Sequence, residues 1–314
     1  MDNMIFKILG SVKDRSFLRK VNEHSFNLHS VKSQSALLSV GQSAEYQKLY
    51  DKYRSVLERD IPVSYPRSPS DRVWTCWLQG EENAPPLIKA CIASMRRYLP
   101  DKEITVITDD NADSYIKIPG FIKEKRKKGI IPPAHYSDFI RCALLCKYGG
   151  LWMDSTVLVT SPELPRFIFT QPLFVFKKVD LSRSPDAPVF ASNWPIGACS
   201  HDPVLETTLR LLLSYWKNEE RLTHYYVFHL FFAMAARKYP DNWAKVPTFN
   251  NCSPHTLMFE LEQPFSQQRW EQLLRISDIH KLNRHLQPDE SLDSFYRHIL
   301  RLYGQENNVR EDQQ

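Results

Sequence analysis

The chain has 314 residues, 42% of them hydrophobic and 25% charged, with a net charge of +5. That length can bury a large core, and the composition is that of an ordinary soluble globular protein. The small positive charge suits an anionic ligand such as a nucleotide, or a loose attraction to an anionic membrane, and is too slight to call for nucleic acid.

Cys76, Cys91, Cys142, Cys146, Cys199 and Cys252 form no CxxC pair, which argues against a zinc ribbon or a disulfide framework and for a reducing compartment. No apolar run approaches the roughly 18 residues of a spanning helix. The opening MDNMIFKILGSVKDRS lacks the apolar core of a signal peptide, so the expectation is a cytoplasmic protein, soluble or peripherally attached.

In chain order, residues 1–66 read as a helical N-terminal extension. Within it, 43–60 carry Tyr46, Leu49, Tyr53 and Leu57 on one stripe. Pro62, Pro66 and Pro69 cannot continue a helix and mark the boundary with a main domain over 67–290. There VWTCWL at 73–78 reads as a strand, 87–99 as a helix burying Ile88, Ile92, Met95 and Leu99, and 104–108 as a second strand. This β-α-β order predicts a parallel sheet. Asp109, Asp110 and Asn111 follow the second strand and either meet a ligand or make a turn. The basic run KEKRKK at 123–128 reads as a solvated face or loop, with an anion contact as a secondary reading.

The stretch from 135 to 160, HYSDFIRCALLCKYGGLWMDSTVLVT, organises the rest. Phe139, Ile140, Ala143, Leu144 and Cys146 recur at helical spacing, with Ser137 placed to cap the start and Gly149 and Gly150 to end it. Leu151, Trp152 and Met153 suit a short buried strand that closes on Asp154. A helix of about 11 residues and a strand of about five have similar lengths, so Asp154 should return to the edge where the helix began. Asp138 and Arg141 share a helix face there, and that edge of an open α/β sheet is where ligands bind. The plain alternatives are a surface ion pair and a turn-capping aspartate.

Beyond it, 172–177 reads as a strand, 182–188 as a loop, and 202–239 as helical, with His224, Tyr225, Tyr226 and His229 among its apolar positions. Residues 291–314 read as a C-terminal helix over 291–303 and a polar tail.

The SDxxR of 137–141, the YGG of 148–150 and the apolar-apolar-Asp of 152–154 resemble the bacterial capsular polysaccharide synthesis glycosyltransferases, which carry a DXD-type sugar-binding region. The likeness spans roughly residues 72–285. It implies an α/β fold of GT-A type, a Rossmann-like mixed sheet flanked by helices. It also implies retaining transfer of a hexose from a nucleotide sugar, a uridine diphosphate sugar foremost, to a saccharide or lipid-linked saccharide. The setting would be capsule or lipopolysaccharide synthesis, with peripheral contact at the cytoplasmic face of the inner membrane.

By motif match Asp138 and Arg141 would act at the donor sugar. Asp154 would anchor ribose and, with Thr156, hold Mn²⁺ or Mg²⁺ as cofactor. Trp77 would stack on the base with Gln79 beside it, and Ser137 opens the SDxxR motif at the donor edge. Asn193 and Trp194 of FASNWPIG would face a sugar, Tyr226 or its neighbour Tyr225 would line the acceptor cleft, and His280 and Lys281 would reach back to metal and diphosphate. One departure matters: Asp154-Ser155-Thr156 puts a hydroxyl where the DXD pattern has its second carboxylate, and a neutral oxygen holds a divalent cation more weakly. Two other readings stay open. An aspartyl phosphotransferase would use Asp154 but lack its second acid at Thr156, and a non-catalytic carbohydrate-binding protein would have lost the metal.

Overall fold

The apolar runs come together as a mixed sheet in the computed structural model, which describes residues 31–61, 68–177, 187–286, 289 and 291–304, with side chains from residue 40. The first helix among the described residues, α1 (Val31–Leu57), begins earlier than the apolar stripe that predicted it. Leu49, Tyr53 and Leu57 are buried, whereas Pro62, Pro66, the stretch 178–186, which takes in residues 182–186 of the expected loop, and the polar tail lie outside the described residues.

The sheet is built from β1 (Arg72–Cys76), β2 (Glu103–Ile107), β3 (Gly150–Met153), β5 (Leu173–Lys177) and β6 (Ala191–Ala198), and β4 (Val157–Val159) leaves it after β3. Its order is β2-β1-β3-β6-β5, with β1 parallel to β2 and β3, and β6 antiparallel to both β3 and β5. The β-α-β expectation for the first two strands is met, with α2 (Pro86–Tyr98) as the crossover. Strand alternation sends Trp74 and Trp152 into one core cluster, and Val73, Leu151 and Met153 into another on the opposite face. The first cluster is completed by α4 (Pro133–Tyr148), α5 (Pro203–Asn218) and α6 (Val227–Lys238), against which α1 also packs.

Four local expectations are decided or refined for identifiable reasons. The basic run forms the end of α3 (Gly120–Lys127), and Lys125 is buried, its ammonium donating to the Glu219 carbonyl at 2.8 Å and lying 2.9 Å from the Glu220 carboxylate. The apolar pattern of 202–239 is two helices, because the chain breaks off after Asn218 and restarts at Val227. Asp109, Asp110 and Asn111 make a turn, held by the Thr108 amide donating to Asn111 Oδ1 at 2.9 Å. Ser137 does not cap α4, since Pro132 and Pro133 begin the helix a turn earlier with a backbone preset for that position.

Past the sheet, α7 (Gln267–Ile276) leads into β7 (Ile279–Lys281), which pairs antiparallel with β4 so that Lys281 faces Val157 in register. The described chain closes with α8 (Phe295–Tyr303), capped by Ser294. Among the described residues no helix is long and apolar enough to cross a membrane.

Candidate active site

Two glycines bring the site together. Gly149 ends α4 at φ 66°, and Gly150 enters β3 at φ 99°, where a Cβ would lie 2.3 Å from the Arg72 carbonyl oxygen. Only glycine accepts that backbone and that approach. The reversal is therefore tight, and β3 delivers Asp154 beside the first turns of α4, as the matched lengths predicted.

There Arg141 lies almost wholly inside the protein, 4% exposed, and joins both carboxylates. Its Nη2 donates to Asp154 Oδ1 at 3.1 Å, and its Nη1 donates to the Asn193 carbonyl at 2.6 Å and lies 3.3 Å from Asp138 Oδ1. The guanidinium also sits over the rings of Trp152 and Phe228, at 5.0 and 5.7 Å. Asn193 donates its amide to Asp138 Oδ1 at 3.1 Å, and His135 Nδ1 stands 3.4 Å from Asp138 Oδ2. Asp154 Oδ1 also accepts from the Trp152 indole at 2.9 Å, while Lys281 reaches from β7 to Asp154 Oδ2 at 3.0 Å and to the Thr156 hydroxyl. Burial opposes the Asp154 charge, yet Lys281 and Arg141 together with the bonds from Trp152 and Lys281 outweigh it and hold the carboxyl below its ordinary value.

These groups line one cavity of about 360 Å³, with Trp77, Gln79, Ser137 and Asn193 on its wall. The Arg284 guanidinium stands 5.5 Å over the Trp77 ring at the rim. A larger hollow of about 830 Å³, between Asp71, Tyr98 and Arg166, gathers none of the site residues expected from the sequence.

Three of those residues point elsewhere. Adjacent strand residues face opposite sides of a sheet, so Asn193 and Trp194 cannot both enter the cavity. Trp194 is 4% exposed in the core, stacked on Phe176 at 5.2 Å. The same alternation separates Lys281 from His280, whose Nε2 meets Thr160 Oγ1 at 3.2 Å in the interior. Tyr226 packs on His229 at 5.3 Å and stays off the wall, where Tyr225 stands instead, well exposed and nearly at right angles to the His135 ring with the ring centres 5.6 Å apart.

His135, Trp152, His229 and Arg284 also line the cavity, although no role in the site was expected of any of them from the sequence. His135 carries a findable signal, three residues before Asp138 on the same helix face, and so does Trp152, two before the Asp154 that follows β3. Arg284 lies past the end of β7 with no periodicity to reveal it.

The family described as capsular polysaccharide synthesis protein matches residues 26–299. The chain belongs to this family. A curated relative, the O-glycosyltransferase PaGT of Phomopsis amygdali, is 30% identical over 106 residues, covering 31% of this chain and 26% of that protein. The chain thus matches about a quarter of that relative's length. Among solved structures, the PaToxG glycosyltransferase is 14% identical, with 76% of this chain and 95% of that one covered, at a TM-score of 0.35.

The family resemblance implied Mn²⁺ or Mg²⁺ on Asp154 and Thr156, and the residues present do not fit that ion. Asp154 is the one carboxylate of the pair, both its oxygens accept from donors that include two cationic side chains, and Thr156 already accepts from Lys281. Among the described residues no three His, Cys, Asp or Glu side chains group closely enough to hold a metal.

The buried His280 yields a first expected outcome. Burial pushes its pKa down from 6.5 to about 4, against a smaller upward pull from a backbone bond at Ser277. The unfolded chain takes this proton below 6.5 while the folded one refuses it until about 4, so the His280 contribution is complete above 6.5 and lost as the pH falls toward 4. It amounts to roughly 2 kcal/mol between about pH 7 and about pH 5. Urea unfolding should show His280→Leu losing less stability over that interval than the wild type; equal slopes would refute the assignment.

Proposed function

We propose that the protein is a glycosyltransferase that moves a hexose from a nucleotide sugar, with a uridine diphosphate sugar as donor, to a saccharide or lipid-linked saccharide in bacterial surface polysaccharide synthesis. The observation that carries this reading is the ion-paired chain Asp138–Arg141–Asp154–Lys281 at the carboxyl edge of β1 and β3, in a cavity that also holds Trp77. Such an edge is the ligand-binding side of an open α/β sheet, and paired cationic groups suit a diphosphate.

In the proposed step the bond between the anomeric carbon and the diphosphate oxygen breaks, and its electron pair stays on that oxygen. The acceptor hydroxyl oxygen forms the new bond to the anomeric carbon and its proton passes to water. Trp77 and Gln79 take the base, Asp138 and Asn193 the sugar hydroxyls, and Arg141 and Lys281 the charge that grows on the leaving group. Tyr225 offers its exposed ring to the acceptor. Retention of configuration and a place on the cytoplasmic face of the inner membrane are supported by the family resemblance, and the latter also by the +5 charge.

Thermal unfolding across a panel of nucleoside diphosphates and nucleotide sugars tests the reading, since a ligand of the folded state raises Tm with its affinity and concentration. One uridine nucleotide sugar should raise Tm by several degrees. No rise with any nucleotide would overturn the donor site.

A further inference from the structure

The cavity brings together three cationic side chains, Arg141, Lys281 and Arg284, against two carboxylates, Asp138 and Asp154. The charge balance favours an added anion and opposes an added dication. Lys281 lies between Asp154 Oδ2, at 3.0 Å, and the Thr156 hydroxyl, the two oxygens that would have to ligate a divalent ion. A cation set there would meet an ammonium already bonded to its ligands, and would need to displace it.

We propose that Lys281 stands in the place of the divalent cation, and that Lys281 and Arg284 hold the donor diphosphate without a metal. The inference rests on the donor-site reading above. β7 fixes the Lys281 backbone by pairing it with Val157, and Asp154 orients its head group. An ammonium held in this way presents a remaining N–H to an anion at the cavity wall, since it carries three donors. Arg284, over Trp77, brackets the same opening where a base stacked on that ring would carry its phosphates. Direct bonds from charged donors supply the neutralisation that a metal would otherwise provide.

Isothermal titration of the full chain with UDP and with UMP, first in excess EDTA and then in excess Mn²⁺, tests this. UDP should bind in EDTA, and its affinity should change by less than about threefold on adding Mn²⁺. Lys281→Gln should weaken UDP by about tenfold or more, the loss of a charge-assisted bond, and UMP by much less. UDP binding that appears only with Mn²⁺, or a Lys281→Gln variant that loses UDP and UMP affinity equally, would overturn the inference while leaving the donor site standing. The wild-type comparison stands even where the variant folds poorly. If neither UDP nor any other nucleoside diphosphate binds under either condition, the donor-site reading fails first, and the inference with it.

Discussion

Arg141→Met is expected to cost about 3–5 kcal/mol of folding stability, the loss typical of a buried ion pair deprived of one partner. Arg141 is 4% exposed and is the only link that touches Asp138, Asp154 and the Asn193 carbonyl together among the described contacts. Methionine has a similar reach and lies as readily on Trp152 and Phe228, so packing over those rings survives. What is lost is the charge between two carboxylates, one of them 6% exposed, and the donor to a strand carbonyl.

The cause can be separated from simple loss of packing. Asp138→Asn in the same chain removes one of the stranded charges, so the double variant should recover at least about 1 kcal/mol relative to additivity. Urea midpoints for the wild type, both single variants and the double variant give the answer. A cost below about 1 kcal/mol for Arg141→Met, or strict additivity, would mean that the buried pair contributes little. Arg141→Lys should fall short of rescue, because one ammonium cannot reproduce a planar fork that reaches two carboxylates and a carbonyl at once.

Much of this arrangement was legible in the sequence because local rules and the site coincide. Gly-Gly after an apolar helical stripe, followed by three apolar residues and an aspartate, fixes the helix, the reversal and the strand, and the lengths then place Asp154 beside Asp138 and Arg141. The β-α-β unit was readable for the same reason. The pairing of β7 with β4 was not, since three residues carry too little pattern to choose a partner more than a hundred positions away. Lys281 was named by motif match, yet its bond to Asp154 depends on that distant pairing. The choice between Asn193 and Trp194, and between Lys281 and His280, turns on strand phase, which a motif of adjacent letters does not encode. The second carboxylate missing at Thr156 was visible from the outset. Its consequence emerges only with Lys281 in place.

Asp154→Asn is expected to lower turnover by about 10²–10³ while UDP affinity stays within about threefold, a separation that follows from what the carboxylate touches. Asparagine keeps the shape and can still accept from Arg141 and Trp152 through one oxygen. Its amide nitrogen then faces the Lys281 ammonium, donor against donor, where the carboxylate had accepted at 3.0 Å. The cavity becomes more positive, which favours the anionic diphosphate, so binding should survive. Lys281 loses its orienting partner, so the charge growing on the leaving oxygen meets a group that is present but misplaced, and the barrier rises without a matching loss of ground-state affinity. UDP release from the donor identified by the thermal panel, measured together with UDP titration, separates the two quantities. If Asp154→Asn instead weakens UDP by more than about tenfold and leaves turnover at saturation intact, Asp154 is a binding group for the nucleotide, and the orientation of Lys281 must be set by Thr156 and the β4–β7 pairing alone.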